Sequence, residues 1–136
     1  MLILDTGVIV AAADRADPQH AQCGRLLEAE TEPMVTTAMV IAECAYLIDR
    51  ELGPQAESLL YQSIIDGALL VEPTIADDWQ RIRELVVQYA DLRLGGTDAS
   101  VIALAERLHV NRIVTLNDRD FTVFKPNHTA ALTLLP

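Results

Sequence analysis

Three apolar segments of this chain each contain a single acidic residue, and this pattern restricts the folds that the chain can adopt. Asp5 is the only charged residue among the first thirteen, Glu43 lies within the stretch 38–48, and Asp98 stands at the head of 97–105. An ionised carboxylate costs several kcal/mol to remove from water unless a partner compensates its charge. We therefore expect the fold to supply a compensating partner, and a divalent metal ion is the simplest candidate.

The composition predicts one soluble domain spanning residues 1–136. The sequence is 51% hydrophobic and only 4% aromatic, which indicates a core of Ala, Leu, Ile and Val side chains. No apolar run approaches the ~20 residues of a membrane span, and Asp5 stands where a signal peptide would carry Lys or Arg. A cytoplasmic location is therefore expected. Cys23 and Cys44 do not form a disulfide framework or zinc motif, so both are expected to be buried free thiols.

The charge balance bears on the kind of partner that the chain can bind. The net charge is −10, and Lys125 is the only lysine beside nine arginines. Such a protein repels a polyanion at long range, which argues against a duplex-binding regulator held by phosphate contacts alone. A bound Mg²⁺ or Mn²⁺ ion would invert the local field, so an acidic pocket with metal can still accept a phosphodiester.

Short apolar runs alternate with helical patterns, which predicts an α/β three-layer fold with a mostly parallel sheet of four to five strands flanked by helices. Strands are expected at residues 1–4, 33–36, 68–71, 113–116 and 131–135. Helices are expected from 6, over 17–30, from Thr36 or Thr37, over 55–66, after a capping box at 74–77 and from the cap Thr97. The helix after 74–77 is expected to bury Trp79, Ile82, Leu85 and Val86.

Several of the acids are expected at one edge of this sheet. Sites in parallel sheets lie beyond the carboxyl ends of the strands. Asp5 and the segment 117–120 each follow a predicted strand, and a helix that begins at Asp98 commonly points to the same edge. Glu43 is less constrained because it lies in the middle of a predicted helix.

Four motifs of the chain resemble those of the PIN-domain ribonucleases, and within them the toxin subunits of VapBC toxin–antitoxin pairs. They are Leu-Asp-Thr-Gly at 4–7, Val-Ile-Ala-Glu at 40–43, Gly-Thr-Asp-Ala-Ser-Val-Ile-Ala-Leu-Ala at 96–105, and Ile-Val-Thr-Leu-Asn-Asp-Arg-Asp-Phe at 113–121. Each motif alone is weak, but the four in this order extend from one end of the chain to the other. The resemblance implies a PIN-like fold with acids at the bottom of an open groove.

The resemblance also implies the site residues and the partners. Asp5, Glu43 and Asp98 would be the core acids of a Mg²⁺ or Mn²⁺ site. A fourth acid is usual before the final Phe, but position 117 is asparagine where the commonest pattern has aspartate, so Asp118, Asp120 or Asn117 takes that place. The family further implies an RNA substrate, a homodimer, and a VapB-type antitoxin whose C-terminal segment lies in the groove, often with an arginine near the acids.

The chemistry of such a site suits carboxylates. Mg²⁺ keeps several waters and takes one or two carboxylates together with phosphate oxygens of the substrate. A metal-activated water would then hydrolyse the phosphodiester bond. By resemblance, the products carry a 3′-hydroxyl and a 5′-phosphate.

Each acid also has a purely structural interpretation. Asp5 fits an N-cap, and Asp98 fits the positive end of a helix dipole. Glu43 has apolar neighbours at helical spacing and is not expected on an ordinary polar face, although a buried arginine partner would also explain it. Asp118 and Asp120 fit a turn.

Two other functions remain open on the sequence. A catalytically inactive PIN-like scaffold is favoured by the asparagine at position 117. A phospho-acceptor signalling domain needs a lysine at the end of a late strand, and Lys125 lies outside every predicted strand.

Overall fold

Five short strands pair in parallel into one sheet in the computed structural model, which describes residues 1–136. The strand order is β3-β2-β1-β4-β5, so the first strand of the chain lies in the centre of the sheet. The strands are β1 Leu2–Leu4, β2 Met34–Thr37, β3 Leu70–Glu72, β4 Arg112–Val114 and β5 Thr133–Leu135. The predicted parallel sheet is confirmed, including the edge strand near the C-terminus.

Seven α-helices connect and flank these strands. They are α1 Thr6–Ala13, α2 His20–Ala29, α3 Ala38–Leu52, α4 Pro54–Ile65, α5 Ala76–Gln88, α6 Gly96–Leu108 and α7 Asp118–Val123, with a 3₁₀ turn at Ala90–Leu92. The most extensive helix contacts are those of α5 with α6, of α3 with α4, and of α1 with both α2 and α3. The α/β fold class is therefore confirmed. None of the helices combines the length and the apolar character that a membrane-spanning segment requires.

The core is centred on β1, where Leu2, Ile3 and Leu4 are almost completely buried. A strand buried on both faces reads as a continuous apolar run, which explains the sequence before Asp5. The two predicted thiols, Cys23 and Cys44, are both buried and free.

Parallel pairing brings the carboxyl ends of neighbouring strands to the same edge. Leu4 at the end of β1 pairs with Val114 at the end of β4, and the Asp5 backbone N–H donates to the Val114 carbonyl at 3.0 Å. On the other side, Thr36 Oγ1 in β2 donates to the Leu4 carbonyl at 2.8 Å. Residues that follow these three strands therefore meet at one edge of the sheet.

Three helix starts differ from the sequence prediction. α2 begins at His20, because the Asp17 side chain accepts from the Gln19 N–H in a turn and does not cap a helix. α6 begins at Gly96 with Gly95 as its N-cap, so Thr97 is inside the first turn and is not the cap. At the start of α5, Asp78 rather than Asp77 accepts from the Ile75 N–H.

The buried face of α5 was also predicted incorrectly in one position. Ile82 and Leu85 are buried as expected, but Trp79 is 52% exposed. The contact between α5 and α6 is made by polar as well as apolar groups, since Arg107 of α6 pairs with the buried Asp78 at 3.0 Å.

Candidate active site

Asp5 is held at the carboxyl end of β1 by two hydrogen bonds. Its Oδ1 accepts from the Thr6 N–H at 2.8 Å, and its Oδ2 accepts from Thr115 Oγ1 at 2.8 Å. The first bond caps α1, so the interpretation of Asp5 as an N-cap is confirmed. Both oxygens point to the sheet edge from a residue that is 95% buried. Burial raises the pKa of Asp5, the two hydrogen bonds oppose the rise, and the nearby Glu43 adds to it.

Glu43 reaches the same edge from the second turn of α3, which begins directly after β2. Its Oε2 accepts from Thr6 Oγ1 at 2.8 Å, so Thr6 contacts both acids through its backbone and its side chain. The expectation that Glu43 does not lie on an ordinary polar face of its helix is wrong, because Glu43 is exposed and its neighbour Tyr46 is 65% exposed. Glu43 therefore lies at the open side of the site.

Asp98 lies in the first turn of α6, where its carboxylate forms neither a hydrogen bond nor an ion pair. Burial, followed by the negative charges of Asp5, Glu43 and Asp120, raises the pKa of Asp98 to about 7. Those three charges come from three different elements. They act on Asp98 only because the fold brings the four acids to one place.

The fourth acid of this cluster is Asp120. Its Oδ2 accepts from Asn117 Nδ2 at 2.9 Å, and its charge acts on Asp98. Asp118, which was expected as a possible metal ligand, is exposed and is not among the charges that act on Asp98. The structure brings together Asp5, Glu43, Asp98 and Asp120, here called the acid cluster, and leaves Asp118 outside it.

No cation of the protein compensates the acid cluster. The eight ion pairs involve other carboxylates throughout, and the arginine partner considered for Glu43 is absent. The field of the cluster extends to the buried thiol of Cys44, where burial and the charges of Asp5 and Glu43 raise the pKa to about 12. The site is therefore electronegative and unneutralised by the chain itself.

The donor set of the acid cluster fits a hard divalent ion. All of its donors are carboxylate oxygens, which Mg²⁺ and Mn²⁺ prefer, and no histidine or cysteine is required. No three side chains are already arranged as ligands of a single ion. This is compatible with Mg²⁺, which keeps several waters and uses only one or two carboxylates of the protein.

Two residues of the site were not identified from the sequence. Thr115 bridges Asp5 and the segment after β4, and Cys44 lies beneath Thr6, with its thiol 3.8 Å from the Thr6 carbonyl. Thr115 could have been recognised as the one hydroxyl in the apolar run 113–116. Nothing in the sequence distinguishes Cys44 from an ordinary core residue.

The fold is a parallel α/β sheet, and an acid cluster without a compensating cation lies at the carboxyl edge of that sheet. These two features define the class of this protein. Comparison with known proteins identifies its family. The PIN domain family model matches residues 2–125, and the chain belongs to the PIN domain family. The chain is 29% identical over 135 residues to Ribonuclease VapC26 of Mycobacterium tuberculosis, covering 99% of this chain and 100% of that protein.

Solved structures show the same fold. The VapC20 toxin of Mycobacterium tuberculosis, described as cleaving the sarcin–ricin loop, superposes with a TM-score of 0.78 at 20% identity, over 83% of this chain and 87% of that one. A toxin–antitoxin complex from Klebsiella pneumoniae superposes with a TM-score of 0.70 at 18% identity, over 98% of this chain and 100% of that one. VapBC2 from Rickettsia felis, solved with a promoter DNA fragment, gives 0.70 at 17% identity over 99% and 98%.

Proposed function

We propose that this PIN-domain protein is a metal-dependent endoribonuclease, the toxin of a toxin–antitoxin pair acting in the cytoplasm. It hydrolyses RNA phosphodiester bonds at the acid cluster with Mg²⁺ or Mn²⁺. The observation that carries the proposal is the meeting of four acids from separate elements with no cation of the chain to compensate them. The full-length similarity to a ribonuclease of the VapC type supports the reaction, and the fold of the toxin structures is consistent with it.

The protein residues prepare the site for the ion and the substrate. Thr115 and Thr6 hold Asp5, and Thr6 also holds Glu43, so these two carboxylates have fixed positions. Asp98 has no hydrogen bond, and burial together with the charges of the other acids raises its pKa to about 7. A bound divalent ion supplies a Lewis acid that activates water and stabilises charge on the phosphate. Positive charge beside Asp98 favours its ionised form.

The open side of the cluster suits a polymer. Glu43 is exposed and Asp98 is only partly buried, so these two acids are accessible to solvent, whereas Asp5 is buried behind them. The exposed Arg119, next to Asp120 in α7, forms no ion pair and is available for a phosphate of the RNA. Hydrolysis by water does not use the ribose 2′-hydroxyl, so it forms no 2′,3′-cyclic phosphate. By resemblance to the family the P–O3′ bond is the one that breaks, which leaves a 3′-hydroxyl and a 5′-phosphate.

The proposed partners are a VapB-type antitoxin and a second copy of the chain. Antitoxin binding is supported by the toxin–antitoxin complexes among the structures that share the fold. Co-expression with a candidate VapB-type antitoxin and purification through a tag on this chain test that partner, and light scattering of the free protein tests the homodimer.

The inactive scaffold is less well supported. The asparagine at position 117 favoured the scaffold, because the commonest family pattern has an aspartate at that position. The structure brings Asp120 to the cluster instead, so four carboxylates are retained.

Incubation of the purified protein with total RNA, with and without EDTA, tests the proposed function. We expect fragments with 5′-phosphate ends in Mn²⁺, and no fragments in EDTA or with Asp98→Asn. Asp118→Asn is the matched control, because Asp118 is an exposed acid outside the cluster, and it should cleave like the wild type. Cleavage that persists in EDTA, or that survives Asp98→Asn, would contradict a metal-borne mechanism.

A further inference from the structure

Asn117 joins two acids of the cluster through hydrogen bonds on both of its amides. Its backbone N–H donates to Thr115 Oγ1 at 2.9 Å, and Thr115 Oγ1 donates in turn to Asp5 Oδ2 at 2.8 Å. Its side-chain Nδ2 donates to Asp120 Oδ2 at 2.9 Å. A continuous network therefore runs from Asp5 through Thr115 and Asn117 to Asp120.

The side chain of Asn117 does not perform the role that its place in the chain would favour. Asn117 is the N-cap residue of α7, and asparagine is among the preferred N-caps because its oxygen accepts from a helix N–H. Here the side chain makes no capping bond. Its only hydrogen bond is the one it donates to Asp120.

An amide is suited to this position for an electrostatic reason. A neutral N–H donor stabilises the Asp120 carboxylate without adding charge, and hydrogen bonds to charged groups are stronger than those between neutral groups. An aspartate at position 117 has no proton to donate at neutral pH. It would repel Asp120 and add a fifth negative charge to a cluster that has no compensating cation.

We infer that Asn117 is a positioning residue that holds Asp120 in the acid cluster, and that Asp120 rather than Asn117 serves as the fourth ligand group. This inference rests on the proposed function, because the cluster must bind a divalent ion for the position of Asp120 to matter. Asn117 acts on the ion only through Asp120. Groups in the same position relative to other metal sites change metal affinity about 10–100-fold when they are removed.

A double-mutant cycle measured by Mn²⁺ titration calorimetry tests the inference. We expect Asn117→Ala to weaken Mn²⁺ binding about 10-fold in the wild-type background. In the Asp120→Ala background, the same substitution should have no further effect, because the carboxylate that Asn117 positions is gone. Equal losses in both backgrounds, or tighter binding in Asn117→Asp, would show that position 117 contacts the ion directly and would overturn the inference.

A metal-free measurement distinguishes positioning from a change in folding. In EDTA, the side-chain amide resonances of Asn117 in a ¹H–¹⁵N spectrum should shift in Asp120→Ala and remain unchanged in Asp118→Ala, the matched control. Asn117 resonances that are insensitive to Asp120 would overturn the inference. A wild-type protein that binds no Mn²⁺ would refute the proposed function, whereas wild-type binding with an additive cycle would refute the inference alone.

Discussion

Asp98 shows how single residues of this site are kept in an energetically unfavourable state. Its carboxylate lies within range of three other acids, and no hydrogen bond or ion pair of the chain stabilises it. The ionised form is therefore disfavoured in the folded protein and not in the unfolded chain. An acid of this kind makes the metal-free protein less stable as it ionises, and it favours any cation that enters the site.

The raised pKa of Asp98 predicts that the free energy of unfolding of the metal-free protein depends on pH. The pKa of Asp98 is raised from 3.8 to about 7, so the unfolded chain releases the proton first as the pH rises. The stability contributed by Asp98 is therefore complete below about pH 4 and is lost as the pH rises towards 7. We expect the metal-free wild type to lose about 1–3 kcal/mol relative to Asp98→Asn between pH 4 and pH 8, after allowance for partial exposure.

Urea unfolding of both proteins in EDTA at several pH values measures this difference. Asp118→Asn should follow the wild type, because Asp118 is outside the cluster. Parallel pH profiles for the wild type and Asp98→Asn would show that the other acids do not act on Asp98.

At the scale of the elements, α6 is the helix whose position matters most, because it carries Asp98. Two ion pairs hold it against α5: Arg107 pairs with Asp78, and Arg81 pairs with Glu106 at 2.7 Å. Arg107 also donates to the Pro73 carbonyl at 3.0 Å, before α5 begins. These charged contacts fix the start of α5 and the end of α6 relative to each other.

Removing the Arg107 side chain should be costly. Asp78 has only 8% of its side chain exposed, so Arg107→Ala leaves a buried carboxylate unpaired. We expect a loss of about 2–4 kcal/mol in the free energy of unfolding, measured with urea at pH 7. Arg50→Ala is the control, because the Arg50–Glu51 pair is more than half exposed and is screened by solvent, so its loss should change the stability much less. Equal losses in both variants would contradict this assignment.

The sequence predicted which helices and strands form more accurately than it predicted the residues at which the helices begin. Short apolar runs correctly predicted the strands, because parallel strands buried on both faces are continuously apolar. The polar residues that follow β1 and β4 correctly predicted the edge where these strands end. The starts of α2 and α6 were placed at residues with good local capping chemistry. The fold instead uses Asp17 in a turn and Gly95 as a cap. Trp79 fits an apolar spacing, but only the packing of α5 on α6 decides which flank is covered.

The fourth acid could not be chosen from the sequence for a geometric reason. Asp118 and Asp120 both lie in α7, and successive residues of a helix are separated by about 100° around its axis. Asp118 and Asp120 are two positions apart and are therefore separated by about 200° around the axis. Their side chains point in nearly opposite directions, so only one of them can face the cluster. Which one does so depends on how α7 follows β4, and this is a property of the tertiary structure.

For the whole molecule, the net charge of −10 opposes the approach of RNA, so the few free cations near the site become important. Arg119 is exposed, has no ion pair, and lies beside Asp120. Arg83 is also exposed and without an ion pair, but it belongs to α5, which carries none of the acids of the cluster. The two residues form a matched pair for testing where the substrate lies.

We expect Arg119→Ala to raise KM for a short RNA several-fold with little change in kcat, because a phosphate contact away from the reacting atoms contributes to binding alone. Arg83→Ala should leave both parameters unchanged. Steady-state cleavage of a fluorogenic RNA in Mn²⁺ measures both. Equal effects of the two substitutions would place the RNA path elsewhere or show a general effect of charge.

The central place of β1 in the sheet has a consequence for biosynthesis. Thr115, whose hydroxyl donates to Asp5, is translated 110 positions after Asp5. A ribosome that adds about 5–20 residues per second needs roughly 6–22 s to cover that interval. Until then β4 does not exist, and a nascent chain has no assembled acid cluster. The proposed toxin therefore cannot attack RNA before β4 and the residues that follow it have been translated.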